Sequence, residues 1–259
     1  MNNSNFTKNI SPAYLPMLII SLITAVISSC ILSPIYTQIC SDVVLMYTVL
    51  PIIVDYLIIV FDMIYISLLF AIISCSAYFY LKEEEGKYFG FLLAGAIIVL
   101  KHVLNLTVSS IIDNYIDIIF DIPLTLILII IDIVALLIVR VIAIKKSKRH
   151  LSHAKRMQKA AKYLDNVIYD ESNEIYPFGS ILNIKNPIVF PIFIGVAVTV
   201  SVLILQRLYA DFVMLGLPSS FYEVVEIVIS YISDILLGII GYIAAYYAAV
   251  YTFIKRTNS

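Results

Sequence analysis

Residues 124–144 read LTLILIIIDIVALLIVRVIAI, a run of 21 residues with two charged side chains, Asp132 and Arg140. An α-helix rises 1.5 Å per residue, so about 20 apolar residues cross the hydrocarbon core of a bilayer. This stretch therefore predicts a transmembrane helix. It also introduces a feature that recurs along the chain, a single carboxylate inside an otherwise apolar span.

The whole chain has the composition of an integral membrane protein. Of its 259 residues, 61% are hydrophobic and 14% are charged, and the mean hydropathy is +0.99. Soluble domains have about 45–50% apolar and about 25% charged residues. The predicted spans cover residues 15–32, 58–80 with an amphipathic lead-in from Val43, 89–108, 124–144, 188–208 and 228–254. The sequence thus predicts an all-α, polytopic bundle of six transmembrane helices in a lipid bilayer.

Charge alternates between the connections. Residues 33–57, 105–124 and 208–231 contain Asp or Glu but no Lys or Arg, apart from Arg207 just before the last of them. The opposite side holds Lys8, Lys82, Lys87, residues 145–162, Lys185, Lys255 and Arg256. Because short cytoplasmic loops are enriched in Lys and Arg, both termini are expected in the cytoplasm of a cell-membrane protein.

The chain is expected to form one integral membrane domain with a single sizeable loop. Residues 1–144 hold four spans, residues 145–187 form a basic cytoplasmic loop with a short helix, and residues 188–259 hold two spans. That short helix either continues the fourth span or follows it. The loop is interpreted either as a solvated topology anchor or as a contact for anionic lipid or a cytoplasmic protein. The candidate contact residues are Lys145, Lys146, Lys148, Arg149, Lys155 and Arg156.

The six spans resemble three successive hairpins. The returning helices carry Asp62, Asp132 and Asp234, each 42–46 residues after an entry Pro or Gly. This spacing predicts a threefold internal repeat, although low-complexity apolar helices also align easily with one another. In the last span, Gly238, Gly241 and four alanines between 244 and 249 form a small-residue face suited to close helix packing.

Four residues form a candidate polar site inside the membrane: Asp62, Lys101, Asp132 and Asp234. An ionised side chain at the bilayer centre costs about 2.5–3.5 kcal/mol, so each needs a partner or water. Lys101, beside His102 in the middle of the third span, is expected to pair with one of the three aspartates. The site is interpreted as a cation or proton pathway in an acidic, outward-facing cavity, or as a structural set of ion pairs.

Signatures of catalysis and cofactor binding are absent from the sequence. The three histidines do not form a His-Glu-x-x-His motif, no phosphate-binding Gly-rich loop occurs, and Cys30, Cys40 and Cys75 have no metal or redox spacing. No cofactor, metal or nucleic acid is expected, and the chain is not expected to be an enzyme. The usage of Ile, Tyr and Asn fits an AT-rich bacterial genome. Two functions remain: a small-solute or cation transporter, or a non-transporting subunit, assembly factor or regulator that binds a cytoplasmic partner through its basic loop.

Overall fold

A computed structural model of the chain describes residues 14–112, 115–163, 181, 186–209 and 221–257. This part of the chain is helical and contains no strand. Its elements are α1 Leu15–Val26, a π-helical segment Ile27–Leu32, α2 Ser33–Ser41, α3 Val43–Met46, α4 Leu50–Leu81, α5 Phe89–Ile112, α6 Tyr115–Tyr163, α7 Val189–Tyr209 and α8 Phe221–Thr257.

Six of these helical stretches are long and apolar enough to cross a membrane. The first joins α1, the π-helical segment and α2 into one span, Leu15–Ser41, and the other five lie within α4, α5, α6, α7 and α8. The predicted all-α bundle of six transmembrane helices is therefore confirmed. Two ends of this bundle are distinguished below: the acidic end, where Asp42 and Asp55 lie, and the basic end, where Lys82, Lys87 and Lys255 lie.

The first span continues past its predicted end at residue 32 because a π-helical turn accommodates Pro34. Proline has no N–H and its ring clashes with the carbonyl four residues earlier, so an uninterrupted α-helix would be strained there. The wider turn bonds the Ser33 N–H to the Ser28 carbonyl, and Pro34 then lies in the first turn of α2. In the first turn of a helix the backbone N–H groups have no acceptor within the helix, so the N–H that proline lacks is not needed there.

The predicted lead-in to the second span is divided between two helices. Asp42 caps the short helix α3, since its Oδ1 accepts hydrogen bonds from the backbone N–H groups of Val44 (2.8 Å) and Leu45 (3.2 Å). Helix α4 then begins at Leu50, eight residues before the predicted position 58, with Pro51 in its first turn. It includes Asp55, near its N-terminus, whose carboxylate pairs with Arg207 of α7.

The predicted basic loop is helical over its first half. Helix α6 has 49 residues, which corresponds to about 74 Å, more than twice the hydrocarbon thickness of a bilayer. The segment that begins at Lys145 therefore continues the fourth span as one helix as far as Tyr163, which is one of the two arrangements expected for the short helix. Of the rest of the predicted loop, residues 164–180 and 182–185 lie outside the described residues.

Helix α4 is the centre of the bundle and contacts α1, α5, α6, α7 and α8. Every residue from Tyr65 to Phe79 is buried, in agreement with a segment that is hydrophobic all round. Consecutive spans also contact each other in the pairs α1 with α4, α5 with α6, and α7 with α8. The threefold repeat itself stays a prediction.

Small residues set how closely the other helices approach α4. A Cβ atom added to Gly241 of α8 would lie 2.7 Å from Ser67 Oγ and 2.8 Å from the Met63 carbonyl oxygen. Ala245 and Ala249 continue this buried surface. The small-residue face predicted for the last span is therefore a helix-packing surface.

Candidate functional site

A cavity of about 260 Å³ lies between α4, α5, α6 and α7. Aliphatic side chains of α4, α6 and α7 form much of its wall, among them Ile59, Leu128 and Leu203. Its polar lining residues are Asp62, Tyr65, Lys101, His102, Asn105, Asp132, Thr199 and Gln206. Three of the four residues predicted for the intramembrane site, Asp62, Lys101 and Asp132, thus line one cavity.

Lys101 and Asp62 form the first ion pair of the cavity. Lys101 Nζ lies 2.8 Å from Asp62 Oδ1, and the Ser28 hydroxyl, in the π-helical segment, donates a 2.7 Å hydrogen bond to the same oxygen. The ammonium group also lies 4.8 Å from the centre of the Tyr65 ring. Within the part of the chain that the structure describes, the other oxygen, Asp62 Oδ2, has no protein partner. The Asp62 side chain is 38% exposed and lines the cavity. Because Lys101 and Ser28 both contact Oδ1, we infer that the exposed part of the carboxylate includes Oδ2.

His102 and Asp132 form the second polar pair. His102 Nε2 lies 3.0 Å from Asp132 Oδ2, which makes a hydrogen bond when the imidazole is neutral and an ion pair when it is protonated. Helix α5 thus presents Lys101 to α4 and the adjacent His102 to α6, because neighbouring residues on a helix point about 100° apart. Two adjacent side chains of α5 therefore pair with the two carboxylates of the cavity, one on α4 and one on α6.

Asp234 does not line this cavity and belongs to a second cluster. Its carboxylate is fully buried, and Oδ2 lies 2.8 Å from Arg207 Nε. Asp55 Oδ2 lies near the same guanidinium, 3.8 Å from Nη2. The prediction that Asp234 would share a site with Lys101 was wrong, because Arg207 at the end of α7 is the nearer cation.

Several cavity residues were not predicted from the sequence. Asn105, Thr199 and Gln206 are neutral polar residues, which occur in many spans, and so they gave no distinct signal. His102 was noted beside Lys101 but without a partner. The one available signal for Ser28 was Pro34, which follows by six residues and requires the helix to widen near that serine.

Five of the six cations proposed for lipid or partner contact are exposed on α6. Lys145, Lys148, Arg149, Lys155 and Arg156 are exposed, whereas Lys146 Nζ lies 4.0 Å from the centre of the Phe190 ring. At 3.6 residues per turn these five positions fall on one side of the helix. Ser147, on the other side, is fully buried. The exposed five are called the basic face below.

The described residues contain no group of three or more His, Cys, Asp or Glu side chains placed to hold a metal ion. Their three cysteines are free. The groups that the cavity presents are two carboxylates, an ammonium, an imidazole and the aromatic ring of Tyr65.

No protein-family model, no curated protein and no solved structure matches this chain. Its function is therefore inferred from the geometry of the cavity and of the basic face.

Proposed function

We propose that this integral membrane protein transports a small cationic solute or protons, with the cavity between α4, α5, α6 and α7 as the binding site. One observation carries the proposal: a carboxylate in the middle of the bundle, Asp62, keeps one oxygen open to a cavity while its other oxygen is ion-paired. An ion pair with a purely structural role stabilises a protein most when both carboxylate oxygens accept hydrogen bonds. An open carboxylate oxygen at this depth is what a cation-binding site requires.

The size and charge of the cavity restrict the solute. A volume of about 260 Å³ is below the 300–1,000 Å³ that is common for sites of drug-sized ligands, so the cavity suits a solute with few non-hydrogen atoms. Its lining carries two carboxylates against one lysine. With His102 neutral the cavity has a formal charge of −1, which attracts a monovalent cation.

The two pairs give the cavity a way to exchange charge. A cation that contacts Asp62 Oδ2 competes with Lys101 for the carboxylate. A proton that binds the His102–Asp132 pair changes the charge of the same cavity without a large movement of the backbone. Repeated loading and release at this site would move the solute, provided that the bundle opens alternately toward its two ends.

We further propose that the acidic end faces the outside of the cell and the basic end faces the cytoplasm. The support is the distribution of Lys and Arg among the connections. In this orientation Asp42 and Asp55 lie at the outer end of the bundle.

Transport is tested with the purified full chain in liposomes. The probes are protons, detected with an enclosed pH-sensitive dye under an imposed membrane potential, together with radiolabelled sodium and methylammonium. Wild-type protein should carry at least one probe, and Asp62→Asn and Asp132→Asn should abolish that flux. Asp42→Asn serves as the matched control, because this carboxylate caps α3 away from the cavity. Equal flux in wild type and in an Asp62→Asn/Asp132→Asn double variant would refute the proposal.

A second function is favoured by the basic face of α6. The 49-residue helix extends past the hydrophobic thickness of a bilayer, and its five exposed cations fall on one side. We propose as the alternative that the protein is a non-transporting subunit, assembly factor or regulator that binds an acidic cytoplasmic protein there.

A further inference from the structure

The ammonium group of Lys101 lies in a small recognition site inside the cavity. Its Nζ contacts Asp62 Oδ1 at 2.8 Å and lies 4.8 Å from the centre of the Tyr65 ring. A carboxylate that accepts an N–H bond, combined with an aromatic ring within about 6 Å, is a common way for proteins to bind ammonium groups. The side chain of Lys101 is 14% exposed, so this contact is largely shielded from solvent.

We propose that this site binds small primary ammonium compounds, and that Lys101 occupies their place when the cavity is empty. This inference rests on the proposed transport function and names its substrate class. Asp62 forms the charged contact, the Tyr65 ring covers the ammonium, and the Ser28 hydroxyl holds the carboxylate in position. Lys101 is an internal competitor that the solute displaces.

The arrangement favours an organic ammonium over a divalent metal ion. Calcium takes six to eight oxygen ligands and magnesium takes six, whereas the described residues show no cluster of metal-ligating side chains. An aromatic ring supplies a negative face but no lone pair. An ammonium uses both features at once, through its N–H groups and its positive charge.

The direct contact between Nζ and the carboxylate also favours a primary amine over a quaternary one. A distance of 2.8 Å is that of a charge-assisted N–H···O bond, which a quaternary ammonium has no N–H to form. The cavity volume adds an upper limit on size, so methylammonium is a suitable first probe.

The incoming solute has a defined first contact. Asp62 Oδ1 already accepts from Lys101 and Ser28, while Oδ2 is open. The solute therefore approaches Oδ2 before Lys101 leaves Oδ1. Lys101 has a flexible four-carbon stem, which lets its ammonium move away without a change in the backbone of α5.

The test is equilibrium binding of radiolabelled methylammonium to the purified full chain in lipid nanodiscs, which requires no transport. Replacing Lys101 by Met removes the competitor, and affinity should rise by about tenfold or more. Lys101→Gln provides a second form should the Met variant fold poorly. Asp62→Asn should abolish binding, and Tyr65→Leu should bind more weakly than Tyr65→Phe, which keeps the ring.

The binding and transport assays together distinguish failure of this inference from failure of the proposed transport function. Unchanged affinity in both Lys101 variants, or displacement by tetramethylammonium as strong as by unlabelled methylammonium, would overturn this inference. A chain that carries sodium or protons in liposomes but binds no methylammonium in any of these forms would refute the substrate class and leave the transport function standing. A chain that binds methylammonium with the expected variant pattern but carries no probe would support the site and refute transport.

Discussion

The guanidinium of Arg207 forms ion pairs with two carboxylates that belong to two other spans. Its Nε is 2.8 Å from Asp234 Oδ2 on α8, and its Nη2 is 3.8 Å from Asp55 Oδ2 on α4. Asp234 is fully buried, and within the described ranges of the chain Arg207 is the one cation that pairs with it. Three helices near the acidic end are thus linked by one side chain.

Removing this cation should strongly destabilise the bundle. We expect Arg207→Leu to lower the free energy of unfolding by about 3 kcal/mol, because it leaves the charge of Asp234 buried without a partner. The measurement is thermal or denaturant-induced unfolding of the purified protein in detergent. A double variant, Arg207→Leu/Asp234→Leu, should recover most of the loss, since it removes the stranded charge as well.

Arg140 provides the control for this prediction. Its Nη2 donates a 2.6 Å hydrogen bond to the Lys87 carbonyl, and its guanidinium lies 4.9 Å from the centre of the Tyr88 ring. Among the described residues it has no carboxylate partner. Arg140→Leu should therefore cost less than half of what Arg207→Leu costs. Equal losses in the two variants would mean that Arg207 stabilises the bundle by general packing and not by its charge.

The sequence was sufficient to predict the transmembrane spans but not to predict which charged side chains pair with each other. A run of about 20 apolar residues requires no knowledge of neighbours to be recognised as a span. The partner of Lys101 was limited to three aspartates, yet the choice among them depends on how each helix is rotated about its axis. That rotation is set by how the helices pack against one another, for example where Gly241 of α8 packs against Met63 of α4. It cannot be determined from the sequence of one span alone. For the same reason the pair of Arg207 and Asp234 was missed.

The boundaries of the first span show a second limit. Pro34 predicts a helix end when it is considered alone. In the bundle the chain continues through a π-helical turn, and Ser28 in that turn bonds Asp62 on α4. π-Helical turns occur frequently at functional sites. The local sequence contains the proline, but the hydrogen bond that Ser28 donates in this turn has its acceptor, Asp62, 34 positions further along the chain.

The close packing of α8 on α4 predicts a large effect of one methyl group. In Gly241→Ala the new Cβ would lie 2.8 Å from the Met63 carbonyl oxygen, a backbone atom that cannot rotate away. We expect the free energy of unfolding to fall by about 1–3 kcal/mol.

The matched control is Gly95→Ala on α5, where a Cβ meets nothing within 4 Å. That variant should be neutral or slightly stabilising, because alanine is the better helix former. Equal effects at the two positions in the same unfolding assay would contradict this account of the packing.

The orientation of the bundle predicts which positions are reached by reagents outside the cell. We choose Ser41→Cys, at the acidic end, and Ser152→Cys, in the basic extension of α6, because both serines are exposed. The native cysteines are first replaced by alanine. A membrane-impermeant maleimide should label position 41 in intact cells and position 152 after the membrane is permeabilised. The reverse pattern would invert the proposed topology, and labelling of both positions in intact cells would refute the six-span arrangement in the membrane.

The basic face distinguishes the two proposed functions. Lys145 and Arg156 are eleven residues apart, about 16 Å along a straight helix, which exceeds the Debye length of about 8 Å at physiological salt. Lipid headgroups next to Lys145 therefore attract Arg156 only weakly, whereas an acidic protein surface can contact the whole stripe.

If the protein is a docking subunit, Gln at Lys148, Arg149, Lys155 and Arg156 should release a stoichiometric partner that co-purifies with wild type in mild detergent. Gln at Lys82, Lys87 and Lys255, three cations at the same end but outside α6, should leave the complex intact, and so should Asp62→Asn. A partner that is retained after these four cations of the basic face are replaced would refute docking there. A wild-type protein that purifies alone would leave this face as a topology anchor and favour the autonomous transporter.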